Sequence, residues 1–198
     1  MREFTVFFII LIVATILYIY LERRSLEVTY QKSESYGNVF LVRKASDQIY
    51  AANLLDNMCN NITTLITHLL KNKDTYNSKY VDGIYRFKNN FNRNKVYEKT
   101  QHTLSSTSYS INKGEKIIFC IRQKDTDILV DINTMMFVAI HECSHLMSKS
   151  IGHTEEFWDN MVFLLKEGIK IGIYDYVNYR HKPKEYCGMV ITDTPYVR

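Results

Sequence analysis

The chain has 198 residues, 46% of them hydrophobic and 23% charged, with a formal net charge of +4. That balance excludes a disordered chain and fits one folded domain with an appendage. Lysines and arginines are scattered rather than clustered, so no nucleic-acid partner is expected.

Residues Phe4 to Leu21 form an uncharged apolar run. At ~1.5 Å per residue it spans ~27 Å, enough to cross a hydrocarbon core. Tyr18 and Tyr20 suit the interfacial belt, and Glu22-Arg23-Arg24 closes the segment. A cleaved signal peptide needs a basic start and a small-x-small site. Here Arg2 is offset by Glu3, and bulky and charged residues follow the run. The reading is an uncleaved single-pass anchor, residues 1–24, contacting the membrane through residues 4–21. Arg23, Arg24 and Lys32 after the run lean towards a cytosolic C-terminal domain.

Residues 25–44 read as a linker carrying one short strand at 38–43, and residues 45–198 as the main domain. Ile49, Ala52, Leu55, Met58, Ile62, Leu65, Ile66 and Leu69 recur at helical spacing and predict a helix over about 46–70. His68 near its end reads as a surface or packing residue. The sequon Asn61-Ile-Thr63 falls inside this helix and argues weakly for a lumenal site. A second helix covers about 78–90. Residues 92–106 read as irregular, with His102 an exposed loop histidine.

A hairpin follows: strands at 107–111 and 116–122 around a turn with Asn112 and Gly114. Asp125, Asp127 and Asp131 lack the glycine and terminal glutamate of a calcium loop, so a solvated loop is expected. A helix then runs from about 133 to 148, with Gly152 at its end. Thr154 caps the next, which reaches about residue 171. The tail reads as one strand at about 174–179, followed by Arg-His-Lys-Pro and the segment 185–191. Cys59, Cys120, Cys143 and Cys187 are widely spaced without a C-x-x-C and read as free thiols in a reducing compartment.

The chemistry sits in His141-Glu-Cys-Ser-His145. Positions four apart share one helix face, so His141 and His145 can point two imidazoles at one metal ion, with Glu142 in reach of a water. This is the H-E-x-x-H pattern of zinc peptidases, with Glu142 as general base. A catalytic zinc takes three protein ligands. His153, after a glycine turn, is the favoured third; His181, Glu155 and Glu156 compete. Metal-assisted hydrolysis of a protein or peptide substrate follows, with the strand 116–122 as an edge that holds extended substrate. Tyr186, Tyr179 and His181 are candidate oxyanion donors.

The run from Thr107 to Ile117, then His-Glu-Cys-Ser-His-Leu, then Gly-His-Thr-Glu-Glu-Phe-Trp resembles the WLM metalloprotease family, relatives of the SprT-like peptidases. It is most similar to the short membrane-anchored versions carried by large DNA viruses, over about residues 80–195. The resemblance implies an α+β, zincin-like domain: a small antiparallel sheet packed on helices, one bearing the H-E-x-x-H. It also implies zinc on His141, His145 and His153, with Glu142 as base. The spacer to the third histidine is longer than in cellular members, and their basic or SUMO-binding tails are absent, so their role in clearing protein–DNA crosslinks is not carried over. The expectation is a membrane-anchored zinc endopeptidase. The alternatives are a non-catalytic membrane or virion protein on a zincin scaffold, and a structural zinc site.

Overall fold

The structure is a computed structural model that describes residues 2–100 and 107–197. Helix α1, Arg2–Glu27, opens the chain. Its stretch Phe4–Glu22 is long and apolar enough to cross a membrane, and none of it is buried against the rest of the chain. The hairpin β1 (Val28–Lys32) and β2 (Val39–Arg43) follows directly, paired Val28 to Arg43 through Lys32 to Val39. Helices α2 (Gln48–Lys71) and α3 (Ser78–Asn90) come next, then β3 (Val96–Glu98), β4 (Tyr109–Ile111) and β5 (Lys116–Phe119). Helices α4 (Ile132–Met147) and α5 (Glu155–Lys170) and the hairpin β6 (Lys184–Tyr186) and β7 (Met189–Ile191) complete the fold.

The architecture is α+β. The main sheet has the order β1-β2-β3-β5-β4, and β6-β7 stands apart as a two-stranded sheet. The main sheet is mixed, not antiparallel as expected: β2–β3 and β3–β5 are parallel, whereas β1–β2 and β4–β5 are antiparallel. Parallel neighbours need a crossover, and α2 with α3 supplies it between β2 and β3. Helix α2 lays Ala52, Leu55, Met58, Cys59, Ile62, Leu65 and Leu69 into the same core as Phe40 and Val42 of β2 and the buried residues of α4.

Several expectations are corrected. Residues 25–44 are not a linker: α1 runs through Glu27, and two full strands pair there, so the sheet begins at the end of the apolar helix. The irregular stretch 92–106 contains β3, which looked polar because its inward Glu98 is a carboxylate. Glu98 accepts from Arg122 Nε at 2.7 Å and from the Arg43 backbone N–H at 2.6 Å, which satisfies it in the core. His102 lies outside the described residues. Residues 174–179 are not a strand. Asn133 makes both backbone hydrogen bonds of Asp175, at 2.7 and 2.9 Å, in place of a neighbouring strand, while Tyr174 and Tyr179 pack against Phe137. Cys120 and Cys187 are not free thiols but form a disulfide; Cys59 and Cys143 are free and buried.

Candidate functional site

Helix α4 begins on Asp131, one to two residues earlier than expected, with the Asp131 carboxylate accepting the Thr134 N–H at 2.9 Å. It ends at Met147, well before Gly152, because its last carbonyls are already capped by side chains. Arg86 donates to Met147 O at 2.8 Å, Asn90 to Leu146 O at 3.1 Å, and Lys113 Nζ to the carbonyls of His145, Ser148 and Ser150 at 3.1, 2.8 and 2.5 Å. Gly152, at φ +81, instead turns the following loop back towards the helix, immediately ahead of His153. Glu156 fixes that loop by accepting the backbone N–H groups of Lys149 and Ser150 at 2.8 and 2.9 Å and the Ser150 hydroxyl at 2.7 Å.

These constraints bring His141, His145 and His153 together. Their ring centroids form a near-equilateral triangle: 5.1, 4.9 and 5.0 Å. Among the described residues, one ring nitrogen from each lies within 4.8 Å of the others. His141 Nε2 and His153 Nε2 are 3.1 Å apart. Two nitrogens each about 2.0–2.1 Å from a tetrahedral zinc lie roughly 3.4 Å apart, so the donor set fits a zinc ion in type and spacing. Burial, aided by the neighbouring imidazoles, pushes His141 down to about 3; burial, with His153 and the Lys113 charge, pushes His145 down to about 4. Both are therefore neutral near pH 7, the form a metal needs. Phe157, fully buried at the first turn of α5, lies under all three rings.

Glu142 is buried beside this cluster, and burial pushes its carboxyl up to about 7 against the hydroxyl and backbone N–H of Ser110, which hold it down. Ser110 is in the middle of β4, and β4 is the outer strand of the sheet beyond β5. The expected edge strand at 116–122 is thus corrected: β5 ends at Phe119 and is flanked on both sides, by β3 and β4. Ser110 was not singled out from sequence, and neither was Phe157. A serine in a polar strand carries no signal of its own, whereas Phe157 sits four residues after His153, one helical turn away.

A cleft of about 360 Å³ opens from His141, Glu142 and His153. Phe137 and Val138 of α4 and Tyr186, Met189, Val190 and Ile191 of the β6–β7 hairpin are among the residues that line it. The remaining candidates fall elsewhere. Glu155 and His181 are exposed and outside the histidine cluster, and the Glu156 carboxylate is taken up by its own loop. Of the candidate oxyanion donors, Tyr179 is buried beneath Phe137. Tyr186 lines the cleft, but its hydroxyl already donates to Cys120 O at 2.8 Å.

No protein-family model matches the chain, and no solved structure is similar to it. The chain is 32% identical over 185 residues to "Uncharacterized protein R325" of Acanthamoeba polyphaga mimivirus, covering 93% of this chain and 92% of that protein. It is 38% identical over 104 residues to "Uncharacterized protein 042R" of Invertebrate iridescent virus 3, covering 51% of this chain and 58% of that protein. It is also 34% identical over 84 residues to "Uncharacterized protein 136R" of Invertebrate iridescent virus 6, covering 40% of this chain and 44% of that one.

Proposed function

The chain belongs to the viral protein family of its mimivirus relative, and we propose that it is a membrane-anchored zinc endopeptidase. One observation carries the reading: three imidazoles, of which burial holds His141 and His145 neutral, converge beside a buried carboxylate at the head of a cleft. A purely structural zinc site is closed by a fourth protein ligand; among the described residues the cluster has three. A bare scaffold has no use for a carboxylate buried beside three histidines, which costs stability unless it works.

His141, His145 and His153 would hold the zinc through ring nitrogens. When bound, zinc supplies a Lewis acid that acidifies a water and polarises a carbonyl. Glu142 takes the proton of the attacking water on its carboxylate and passes it to the leaving amine. A carboxyl near 7 is matched to both transfers, and a dication nearby favours its ionised, proton-accepting form. Ser110 aims that carboxylate through two donors on one residue. Strand β4 offers the backbone groups of a sheet edge to an extended peptide. The apolar helix α1 serves as the anchor and holds the domain close to the bilayer, because β1 starts directly at its end.

The test is zinc analysis and peptide cleavage by the full chain in detergent, with Glu142→Gln beside the wild type. Cleavage lost with zinc retained is the expected result. Absence of cleavage by the wild type across a broad peptide library would overturn the reading.

A further inference from the structure

Part of the cleft lining comes from the short β6–β7 hairpin. Among the described residues β6 and β7 pair with no other strand, and an isolated two-stranded hairpin is marginal in water. Lys184 pairs with Asp131 at 3.0 Å and Tyr186 and Ile191 reach the core, and several further fastenings converge on one short segment, residues 120–123. The Tyr186 hydroxyl donates to Cys120 O, and the Cys187 N–H donates to Gln123 Oε1 at 3.0 Å. Gln123 Nε2 donates to Glu185 O at 2.9 Å. Ser108 Oγ, itself a cleft atom, bonds the Tyr186 hydroxyl and accepts the Cys120 N–H at 2.9 Å. The one covalent tie in this group is the Cys120–Cys187 disulfide, which joins positions 67 residues apart.

What the clasped hairpin presents is apolar. Met189, Val190 and Ile191 line the cleft together with Phe137 and Val138, beside His141 and Glu142. Met189 and Val190 are half exposed, at 45% and 53%, although they are apolar. Exposed apolar side chains at the mouth of an apolar-lined cleft are the surface that a bulky apolar side chain covers.

We propose that the β6–β7 hairpin forms a subsite for a bulky apolar residue next to the scissile bond, and that the Cys120–Cys187 disulfide is a redox clasp that keeps this subsite formed. The proposal rests on the peptidase reading for the scissile bond, and on the disulfide and the hairpin contacts for the clasp. The clasp opens by reaction with a dithiol reductant. One dithiol sulfur, as thiolate, attacks Cys120, the more open of the pair, and the S–S bond breaks. The Cys187 thiolate leaves and takes up a proton. The second dithiol sulfur then displaces Cys120 as a thiol, and the reductant departs as its own disulfide, two electrons poorer. None of the three histidines lies on the hairpin, so opening the clasp leaves the metal cluster intact. A domain facing a reducing cytosol carries the open subsite, and one reaching an oxidising compartment carries the closed one. The disulfide thus opposes the cytosolic lean of the charges around α1.

The test uses the full chain in detergent, oxidised or reduced with a phosphine, which avoids the zinc chelation of dithiols. Three readouts are taken: zinc content, amide exchange of residues 184–193, and kcat/KM on matched peptides with Leu or Asp beside the scissile bond. Reduction should leave zinc unchanged and speed exchange of the hairpin by about ten-fold or more, with α4 and α5 unaffected. It should also lower kcat/KM for the Leu peptide by about ten-fold, with little change for the Asp peptide. The Cys120→Ser/Cys187→Ser variant should behave as the reduced protein and ignore the phosphine. If that variant does not fold, reduction of the folded wild type decides. Unchanged hairpin exchange on reduction overturns the clasp, and equal turnover of Leu and Asp peptides by the oxidised protein overturns the subsite. Absence of all cleavage counts against the peptidase reading and the subsite together, and hairpin exchange still decides the clasp.

Discussion

The ring of Phe157 lies against the imidazole of His145, centroids 4.3 Å apart and planes 31° apart, and the same ring touches His141 at 4.9 Å and His153 at 4.7 Å. One side chain from α5 therefore sets the relative position of three imidazoles carried by α4 and by the loop after it. Phe157 is fully buried, so Phe157→Ala leaves a cavity beneath the cluster and should cost about 3–5 kcal/mol of stability. It should also weaken zinc binding by about 10–100-fold, as for other residues that orient ligands. Denaturant unfolding of the apo protein and a zinc competition titration measure the two effects. Wild-type zinc affinity in the alanine variant would exclude an orienting role.

His153 behaves differently. It is exposed and sits on a loop, so His153→Ala should change apo stability by no more than about 0.5 kcal/mol. Zinc affinity should fall by more than about 100-fold, because a three-ligand site becomes a two-ligand one. Metal analysis after dialysis against a weak chelator reads this directly. Full zinc retention would remove His153 from the ligand set.

The loop that carries His153 depends on an ionised Glu156. Burial pushes this carboxyl up, but the N–H groups of Lys149 and Ser150, the Ser150 hydroxyl and the Arg86 charge outweigh it and hold it at about 2. A carboxyl lowered in the folded state stabilises that state above its unfolded value of about 4.3, and the contribution disappears as pH falls through the folded value. The effect should therefore be intact at pH 7 and decline between about pH 4.5 and 2. Glu156→Gln should lower apo stability at pH 7 and narrow the difference from wild type steadily below pH 4. Chemical denaturation at pH 7, 4 and 2.5 checks the trend, and a difference that stays constant with pH would contradict it.

Much of this was legible in the sequence, and the remainder was hidden for identifiable reasons. The amphipathic stripe from Ala52 to Leu69, the Asn112–Gly114 turn and the histidine spacing each depend on local periodicity or turn chemistry, and each appears where the pattern put it. The pattern misled where a tertiary partner replaces a local rule. Glu98 and Arg122 are both polar and both buried, because each satisfies the other, so β3 looked like loop. The strand pattern at 174–179 has no strand beside it, since the Asn133 amide takes that place. The Cys120–Cys187 pairing spans 67 residues and no spacing rule reaches that far. Ser110 gains its importance only from the neighbour that folding brings to it, Glu142.

The turn between β4 and β5 ties the outer strand β4 to helix α4, and two of its residues can be tested separately. Gly114 has φ +105, and a Cβ there would meet Asn90 O at 2.3 Å and Asn90 C at 3.1 Å. Both contacts are backbone at the end of α3, which also holds α4 through the Asn90 amide, so neither can shift cheaply. Gly114→Ala combines a forbidden backbone conformation with a clash and should cost more than about 3 kcal/mol. Lys113 is a milder case. Its ammonium, which burial pushes down in pKa, serves one carbonyl in the last turn of α4, His145 O, and two just beyond it, Ser148 O and Ser150 O. Lys113→Met keeps the aliphatic stem and removes the donors, so it should cost about 1–3 kcal/mol. The damage should be local: amide exchange should rise over residues 144–153, while β1 and β2 stay protected. Exchange measured by mass spectrometry on the full chain distinguishes this from general loosening, in which case the β1–β2 hairpin would exchange faster as well.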